Sequence, residues 1–295
     1  MAVNSVKVKI NGNTYNCTYN SSTGAWEASP NAPGKSSFNQ DGHYYDVTVV
    51  AQDTAGNNIT VDSGDSTFGE LLRLKVTENT KPVINVTHPT AGAVLTNSKP
   101  MISWLVTDAD SGVNPDTISL EIDGVAVESS EITKTKSETI YTCFCSKTIE
   151  DGNHILTFYA TDNDGNKQTA SVSFKIDTVP PTLNVSSPAK DLATNNSVLN
   201  VYGYTNDSSD SPVSLTVNGV SVEVDSNGFF STTINLKEGE NVVTVISTDS
   251  AGQSTTVTRT VTLDTKAPVI TSVECVPNPV GVGSSVKISV RVTDE

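Results

Sequence analysis

Apolar and polar residues alternate in short runs along the whole chain, and turn residues separate the runs. In residues 6–10, 118–122 and 213–217 every second side chain is apolar. Alternation with a period of two places one face of a strand in a core and the other in water. Each run leads to Asn-Gly or Asp-Gly, the strongest local signal for a two-residue hairpin turn. The pattern predicts antiparallel β-hairpins, and no long helical periodicity interrupts it.

These hairpins belong to a unit that occurs three times. An acidic-Gly turn follows each one, at Asp41-Gly42, Asp151-Gly152 and Glu238-Gly239. A second turn, Asp-x-x-Gly, comes next and begins at Asp53, Asp162 and Asp249. The glycines of the two turns lie 14, 13 and 13 residues apart. Self-similarity of this kind is the signature of a repeat architecture, and we predict an all-β array of tandem β-sandwiches in a rod.

Proline-containing joints divide the chain into four segments. They lie at Pro82, Pro180-Pro181 and Pro268, and each follows a strand rich in β-branched residues. Because proline restricts its own backbone and that of the residue before it, the joints are expected to be short, stiff linkers. The predicted domains are residues 1–78, 79–178, 179–265 and 266–295.

The first and last segments are expected to be complementary halves of one sandwich. The run that ends at Asp294 matches the second strand of the second unit, which ends at Asp108. Segment 266–295 therefore supplies strands one and two, whereas segment 1–78 begins with the strand that follows them. This predicts a split, circularly permuted sandwich shared between the two ends of the chain.

We expect the tail strands of one copy to complete the head domain of the next. The residues predicted to carry this assembly are Val6, Val8 and Ile10 in the head, and Val269, Ile270, Val286, Ile288, Val290 and Val292 in the tail. A head-to-tail contact gives a ring if the rotation closes and a filament if it does not. Two alternatives remain open, namely closure within one chain and a head domain that is complete without help.

Charge narrows the range of partners. The chain has 18 basic and 33 acidic residues, for a net charge of −15. An acidic surface argues against binding to nucleic acid or to anionic membranes. No run of 18 apolar residues exists, so no membrane insertion is expected. The first residues lack the basic and apolar regions of a signal peptide. We therefore expect an extracellular or virion-associated protein that is released by lysis.

Residues that carry chemistry are sparse. The three histidines lie in no metal or nucleophile motif, and no phosphate-binding loop is present, so we predict that the protein is not an enzyme. Cys143 and Cys145 lie two apart in one strand and are poorly placed to bridge each other. A disulfide between Cys17 and Cys275 remains an open alternative to free thiols. Trp104 is expected to be a core residue.

Two acidic turns could bind calcium. Asp108 and Asp110, and likewise Asp162 and Asp164, are carboxylates two residues apart beside a glycine. Ca²⁺ needs six to eight oxygen ligands and a flexible turn, which this spacing offers. Asp also favours such turns by bonding to its own backbone, so plain turn chemistry is the alternative. The predicted fold requires no cofactor, and Ca²⁺ is the one candidate.

The third unit resembles the glucodextranase domain-B group of bacterial Ig-like modules. The residues that carry this resemblance are Val217-Asn218-Gly219, Asn227-Gly228-Phe229-Phe230, Glu238-Gly239 and Asp249-Ser250-Ala251-Gly252. The first two units resemble more general bacterial Ig-like repeats, and the chain is similar to Ig-like proteins encoded in prophages of Gram-positive bacteria. The resemblance implies Ig-like sandwiches that serve as spacers, stalks or adhesive decorations. The implied partners are other copies of the chain, phage baseplate or tail proteins, or host surface glycans bound by an adhesin.

Overall fold

The chain is an all-β protein in the computed structural model, which describes residues 2–208 and 213–294. Three short 3₁₀ helices, Asp41–His43, Gly69–Leu72 and Ser129–Glu131, are the only helices in this part of the chain. None of them is long and apolar enough to cross a membrane. The strands group into two compact units, Met1–Ile176 and Asp177–Glu295. The predicted all-β fold is confirmed.

The head domain (residues 1–78) is built on one main sheet. Its strands are β1 (Val3–Ile10), β2 (Asn13–Asn16), β3 (Thr18–Asn20), β4 (Ala25–Glu27), β5 (Tyr45–Asp53), β6 (Asn58–Val61) and β7 (Arg73–Leu74). The main sheet has the strand order β2-β1-β5-β6, and β7 pairs with β5. Strands β3 and β4 form a separate two-stranded ribbon. Among the described residues of this domain, only Ile10 and Tyr45 are buried apolar side chains.

The second domain (residues 79–178) is a two-sheet sandwich. Its strands are β8 (Val83–His88), β9 (Val94–Leu95), β10 (Met101–Thr107), β11 (Val113–Ile122), β12 (Val125–Ala126), β13 (Thr133–Ser137), β14 (Ile140–Ser146), β15 (Gly152–Asp162) and β16 (Lys167–Ile176). One sheet has the order β13-β14-β10-β8 and the other β12-β11-β15-β16-β9. Trp104 is fully buried between them, as predicted, with its ring 5.0 Å from that of Phe158.

The third domain (residues 179–265) is a second sandwich of similar design. Its strands are β17 (Thr182–Ser187), β18 (Leu192–Thr194), β19 (Val198–Asn206), β20 (Ser214–Val217), β21 (Val220–Val222), β22 (Phe229–Asn235), β23 (Gly239–Thr248) and β24 (Ser254–Leu263). The sheets have the orders β17-β19-β22 and β18-β24-β23-β20-β21. Phe230 from the first sheet and Val243, Val245 and Val261 from the second lie in one core.

The tail hairpin (residues 266–295) contains only β25 (Val269–Val276) and β26 (Lys287–Thr293). The two strands pair antiparallel, with Val273 opposite Val290 and Cys275 opposite Ile288. Every described residue of both strands is exposed. The hairpin is therefore a two-stranded ribbon without a core of its own.

The predicted two-residue turns are confirmed by the backbone angles. At Asn11-Gly12 the φ values are 47° and 75°, at Asp123-Gly124 they are 53° and 79°, and at Asn218-Gly219 they are 51° and 80°. A turn with two positive φ values matches the right-handed twist of the flanking strands, and glycine adopts the second position without steric cost. The same local chemistry thus begins the corresponding hairpin in the head, second and third domains.

Candidate functional site

The tail hairpin presents an apolar face to solvent. All six predicted tail residues are exposed: Val269 is 61%, Ile270 63%, Val286 41%, Ile288 62%, Val290 50% and Val292 54% accessible. Isolated two-stranded hairpins are marginally stable in water, since they have no second layer to cover their apolar face. An exposed face of this kind is a candidate interaction surface.

Three of these positions, those of Ile288, Val290 and Val292, are core positions in the second domain. Strand β10 ends just before Asp108, and β26 ends just before Asp294. Counted back from these two residues, Ile288, Val290 and Val292 correspond to Ile102, Trp104 and Val106, all of which are 0% exposed. The tail hairpin therefore carries the residue pattern of a core strand, but none of the described residues covers it.

The head domain has several apolar side chains that are only partly covered. Of the predicted assembly residues, Val6 and Val8 are half-buried and Ile10 is buried, and all three lie on β1. Trp26 is also half-buried. It pairs with Tyr19 in the β3–β4 ribbon, as Phe230 pairs with Val224 in the third domain. Phe230 is 1% exposed, so the third domain covers its aromatic side chain more fully than the head domain covers Trp26.

One edge of the ribbon also lacks a partner in the described part of the chain. Strand β4 pairs only with β3 there. In the third domain the matching strand, β22, pairs with β19, the strand that corresponds to β26. In the described residues of the head domain, no strand therefore pairs with β4 in the way that β19 pairs with β22 in the third domain.

Three carboxylates meet in the first compact unit. An oxygen from each of Glu78, Asp108 and Asp162 lies within 4.8 Å of the other two. Asp108 is 6% exposed and Asp162 is 2% exposed. Backbone hydrogen bonds hold each residue in place: Gly112 N–H donates to Asp108 Oδ1 at 2.8 Å, Asn166 N–H to Asp162 Oδ1 at 2.8 Å, and Ser111 N–H to Glu78 Oε1 at 2.9 Å. We call this set the first cluster.

The first cluster contains two of the four predicted calcium ligands. Asp110 and Asp164 lie outside it, and their carboxylates accept backbone hydrogen bonds. Ser36 N–H donates to Asp110 Oδ1 at 3.1 Å, and Glu78 N–H donates to Asp164 Oδ2 at 3.0 Å. Asp164 thereby positions the backbone of Glu78, a cluster member that sequence analysis did not name.

The second compact unit contains a matching set, which we call the second cluster. Oxygens of Asp177, Asp207 and Asp249 lie within 4.8 Å of one another. These three residues are 0%, 3% and 6% exposed. Asp249 sits in a turn like that of Asp162, and its Oδ1 accepts the backbone N–H of Gln253 at 2.9 Å. Within the described residues, Asp249 Oδ2 is buried and has no hydrogen-bond partner.

The two clusters use the same three places in the repeat. One acid follows the last strand of the preceding domain, one follows the second strand, and one opens the Asp-x-x-Gly turn. Each place occurs once more in the chain. Asp264 follows the last strand of the third domain, Asp294 follows β26, and Asp53 opens the Asp-x-x-Gly turn of the head domain. Asp53 has the same turn geometry, because its Oδ1 accepts the N–H of Asn57 at 2.9 Å. Comparing the acids across repeat units would have identified the clusters from sequence.

Burial makes the first cluster electrostatically costly. Desolvation raises the pKa of Asp108, and the nearby carboxylates of Glu78 and Asp162 raise it further. Hydrogen bonds from the backbone N–H groups of Gly112 and Asp110 oppose this rise without cancelling it. A buried carboxylate requires a compensating partner, either a proton or a cation.

An aromatic strip lies on the outer face of the third domain. Tyr202 is 38% exposed and Tyr204 is 53% exposed on β19. Phe229 on β22 lies 6.5 Å from the ring of Tyr202 and 5.3 Å from that of Tyr204. In the head domain, by contrast, Tyr45 is buried and packs in the protein interior. The strip of Tyr202, Tyr204 and Phe229 is therefore a better candidate for a stacking surface than Tyr45 of the head domain.

Comparisons with known proteins agree with this architecture. Residues 181–265 match the family model for glucodextranase domain B, and residues 95–178 match the family model for a bacterial Ig-like domain. No curated protein matches the chain.

Solved structures with a similar chain course include fibronectin(III)-like modules and titin. The fibronectin(III)-like modules of CbhA from Clostridium thermocellum are 17% identical over 62% of this chain and 94% of that chain, with a TM-score of 0.38. An I-band fragment of titin is 12% identical over 88% of this chain and 87% of that chain, with a TM-score of 0.45. With the repeat, the sandwich topology and both family matches in place, the chain is a bacterial Ig-like repeat protein.

Proposed function

We propose that this protein is a non-enzymatic structural protein that assembles head to tail by β-strand complementation. The tail hairpin of one copy would complete the head domain of the next. The observation that carries the proposal is the burial contrast between equivalent positions: Ile102 is 0% exposed and Ile288 is 62% exposed. Ig-like domains are typical of structural or adhesion-type proteins, which agrees with this role.

The complete domains specify how the strands would pair. In the third domain, Phe230 pairs with Gly203, four residues before Asp207. The corresponding residues are Trp26 in the head and Val290 in the tail. The proposal therefore places Val290 opposite Trp26, with Arg291 opposite Ala25. Strand β25 would then pack near β6, since β17 packs on β24 in the third domain.

The energetics allow this assembly. Full burial of an aliphatic side chain contributes about 1.5–3 kcal/mol, so the five tail residues other than Val269, whose counterpart Val83 is exposed, would contribute roughly 7.5–15 kcal/mol. Association costs about 4–15 kcal/mol in lost freedom of motion. The apolar face alone therefore gives a modest net affinity, and main-chain hydrogen bonds to β4 would add affinity and set the register.

The acidic positions support the same pairing. Asp264 and Asp294 lie on the tail side and Asp53 lies in the head, and together they fill the three places that form the first and second clusters. Completion of the head domain by a second copy would bring these three carboxylates together. A tail that paired in another register would not align Asp294 with Asp53.

Head-to-tail pairing is heterologous, so the product is a filament or a ring. The proposal places the protein outside the cell or on a virion, where its partners are other copies of itself and phage baseplate or tail proteins. A net charge of −15 keeps such a polymer soluble. Fractionation of the producing culture should then recover the protein with extracellular particles.

A disulfide cross-link tests the proposed register. Ala25→Cys and Arg291→Cys are combined in a Cys275→Ser background, because Cys275 is an exposed free thiol. Directly paired residues of antiparallel strands have Cα atoms about 4.5–5.5 Å apart, which a disulfide can span. The matched control combines Ala25→Cys with Lys287→Cys, which would place the thiols about 13 Å apart at 3.3 Å per residue.

We expect mild oxidation to convert the first variant into a ladder of covalent oligomers on a non-reducing gel, and to leave the control monomeric. Light scattering coupled to size exclusion should show concentration-dependent oligomers of the unmodified protein. A cross-linked species that migrates as a compact monomer would show closure within one chain. Monomers at every concentration without cross-linking would reject the assembly.

A second candidate function is glycan binding, which the aromatic strip favours. Exposed aromatic rings provide stacking surfaces for sugar rings, and Tyr202 and Tyr204 lie on the same face of one strand. A glycan array with the unmodified protein and with Tyr202→Ala/Tyr204→Ala tests this. Signals that the double variant loses, and that Tyr19→Ala keeps, would support glycan binding. An array without signals would leave the strip a structural feature.

A further inference from the structure

We infer that the first and second clusters are binding sites for a divalent cation, and that Ca²⁺ is the ion that fits them. The first consists of Glu78, Asp108 and Asp162, and the second of Asp177, Asp207 and Asp249. This inference concerns each chain by itself and does not depend on assembly.

The spacing of the carboxylate oxygens suits one shared ion. In each cluster the three oxygens lie within 4.8 Å of one another. Ca²⁺ binds oxygens at about 2.3–2.6 Å, so two ligands on opposite sides of the ion are about 4.6–5.2 Å apart. All three carboxylates of a cluster can therefore coordinate the same ion without a change in the backbone.

Burial shows that the charge needs a counterion. Five of the six carboxylate residues are at most 6% exposed, and Glu78 is half-buried. The salt bridges between described residues do not involve Glu78, Asp108, Asp162 or Asp249. Buried carboxylates that repel one another are stable only when a positive charge or protons compensate them.

Asp249 provides an independent indication of a ligand. Its Oδ1 accepts the N–H of Gln253, while Oδ2 is buried and has no hydrogen-bond partner within the described residues. Buried polar oxygens in folded proteins are nearly always satisfied. Because Oδ2 belongs to a residue of the second cluster, a cation bound there would satisfy it.

The first cluster has a comparable unsatisfied group. Ser111 is 1% exposed, and its hydroxyl has no partner among the described residues. Its backbone N–H donates to Glu78 Oε1, which places this residue beside the cluster. A hydroxyl oxygen, like a main-chain carbonyl or a water, is a ligand that Ca²⁺ accepts.

The donor set favours Ca²⁺ over Mg²⁺. Mg²⁺ requires near-ideal octahedral geometry and keeps several waters, whereas Ca²⁺ accepts six to eight oxygens in irregular arrangements. Three carboxylates from separate turns and a domain joint form an irregular set. The exclusively oxygen-based ligands also disfavour Zn²⁺ and copper.

Calorimetric titration of chelator-treated protein with CaCl₂ tests the inference. We expect two Ca²⁺ ions per chain in dilute, unassembled protein, and an increase in thermal stability when Ca²⁺ is added. Asp162→Asn should remove one ion, Asp249→Asn the other, and the double variant both. The matched control is Glu223→Gln, a change at an exposed acid of the third domain outside both clusters.

Stability in chelator separates a metal site from an ordinary polar network. Removal of one of three repelling charges should leave Asp249→Asn at least as stable as the unmodified protein in EDTA, but without the gain from Ca²⁺. A loss of stability in both conditions would indicate a structural hydrogen-bond role and overturn the inference. Absence of binding heat and of a thermal shift would also overturn it, and stronger stabilisation by Mg²⁺ would reject the choice of ion.

The number of bound ions can be interpreted separately from the test of assembly. Ile288→Asp changes the tail hairpin and neither cluster, so it should still bind two ions. If copies do not join, the unmodified protein also binds two. Two ions in the unassembled chain therefore support this inference, and a third ion that binds only when copies join would belong to the assembly proposal.

Discussion

Ile102 and Ile288 occupy the same position in the repeat, six residues before Asp108 and Asp294 respectively, yet Ile102 is 0% exposed and Ile288 is 62% exposed. Each isoleucine is followed by apolar residues two and four positions later, Trp104 and Val106 in one strand and Val290 and Val292 in the other, so the contrast does not arise from these alternate positions. It arises because β10 has a second sheet to pack on, whereas nothing in the described residues covers β26. The contrast makes these two residues a matched pair for experiment.

Substitutions at these two positions should have different consequences. Ile288→Asp should abolish oligomers while leaving the thermal unfolding of the monomer unchanged, since this side chain is exposed in the single chain. Ile102→Ala should cost about 2–5 kcal/mol of stability in the second domain, because it removes buried methyl groups and leaves a cavity. Light scattering and calorimetry measure the two effects. Oligomers of Ile288→Asp equal to those of the unmodified protein would contradict the assembly proposal.

The two tryptophans give a second matched pair. Trp104→Ala should lower the free energy of unfolding of the second domain by about 3–5 kcal/mol, since the ring is fully buried against Phe158. Trp26→Ala should cost less in the monomer, because Trp26 is only half-buried, but it should weaken oligomers. Calorimetry on dilute samples gives the first comparison. An equal loss of stability in both variants would show that the head domain has a complete core.

Much of the fold could be predicted because it depends on local chemistry. Asn218-Gly219 and its two counterparts specify the hairpin turn through backbone angles alone, and alternation sets which face of the next strand is buried. Burial of Trp104 followed from its place inside an apolar strand. The degree to which Trp26 is buried could not be predicted in this way, because burial depends on strands that are distant in sequence.

The members of the acidic clusters could be predicted only in part, because the fold brings together residues that are distant in sequence. Asp108 and Asp162 were recognised from the spacing of carboxylates within single turns. Glu78, Asp177 and Asp207 each stand apart from other cluster members along the chain, and the fold brings them together from a joint and a strand end. Spacing within one loop therefore selected Asp110 and Asp164, whose carboxylates instead accept backbone hydrogen bonds.

A pH dependence should follow from a buried thiol. Burial raises the pKa of Cys143 to about 11, with a smaller opposing effect from Lys134. The unfolded chain loses this proton near the ordinary thiol value, whereas the folded domain keeps it. The contribution to stability is therefore complete below that value and is lost as pH rises towards about 11.

Urea unfolding between pH 8 and pH 10.5 measures this effect. The free energy of unfolding of the second domain should fall with pH, and Cys143→Ala should reduce the slope. Cys275→Ser should leave the slope unchanged, since Cys275 is exposed. Equal slopes in all three proteins would show that Cys143 does not contribute. The comparison uses slopes, because Cys143→Ala also leaves a small cavity.

Asp294 connects the two proposals. If copies join in the proposed register, Asp294 and Asp264 of one copy meet Asp53 of the next, and the joint gains the same three acidic positions as the first and second clusters. Ca²⁺ should then tighten assembly, because the ion binds the joined state and not the separate halves. We expect the midpoint concentration for oligomers to fall at least tenfold in Ca²⁺, about 1.4 kcal/mol in association free energy. Asp294→Asn should assemble as well as the unmodified protein in EDTA, but without this gain. If oligomers form equally well with and without Ca²⁺, the proposed third site at the joint between copies is wrong. That result would not affect the inference about the first and second clusters.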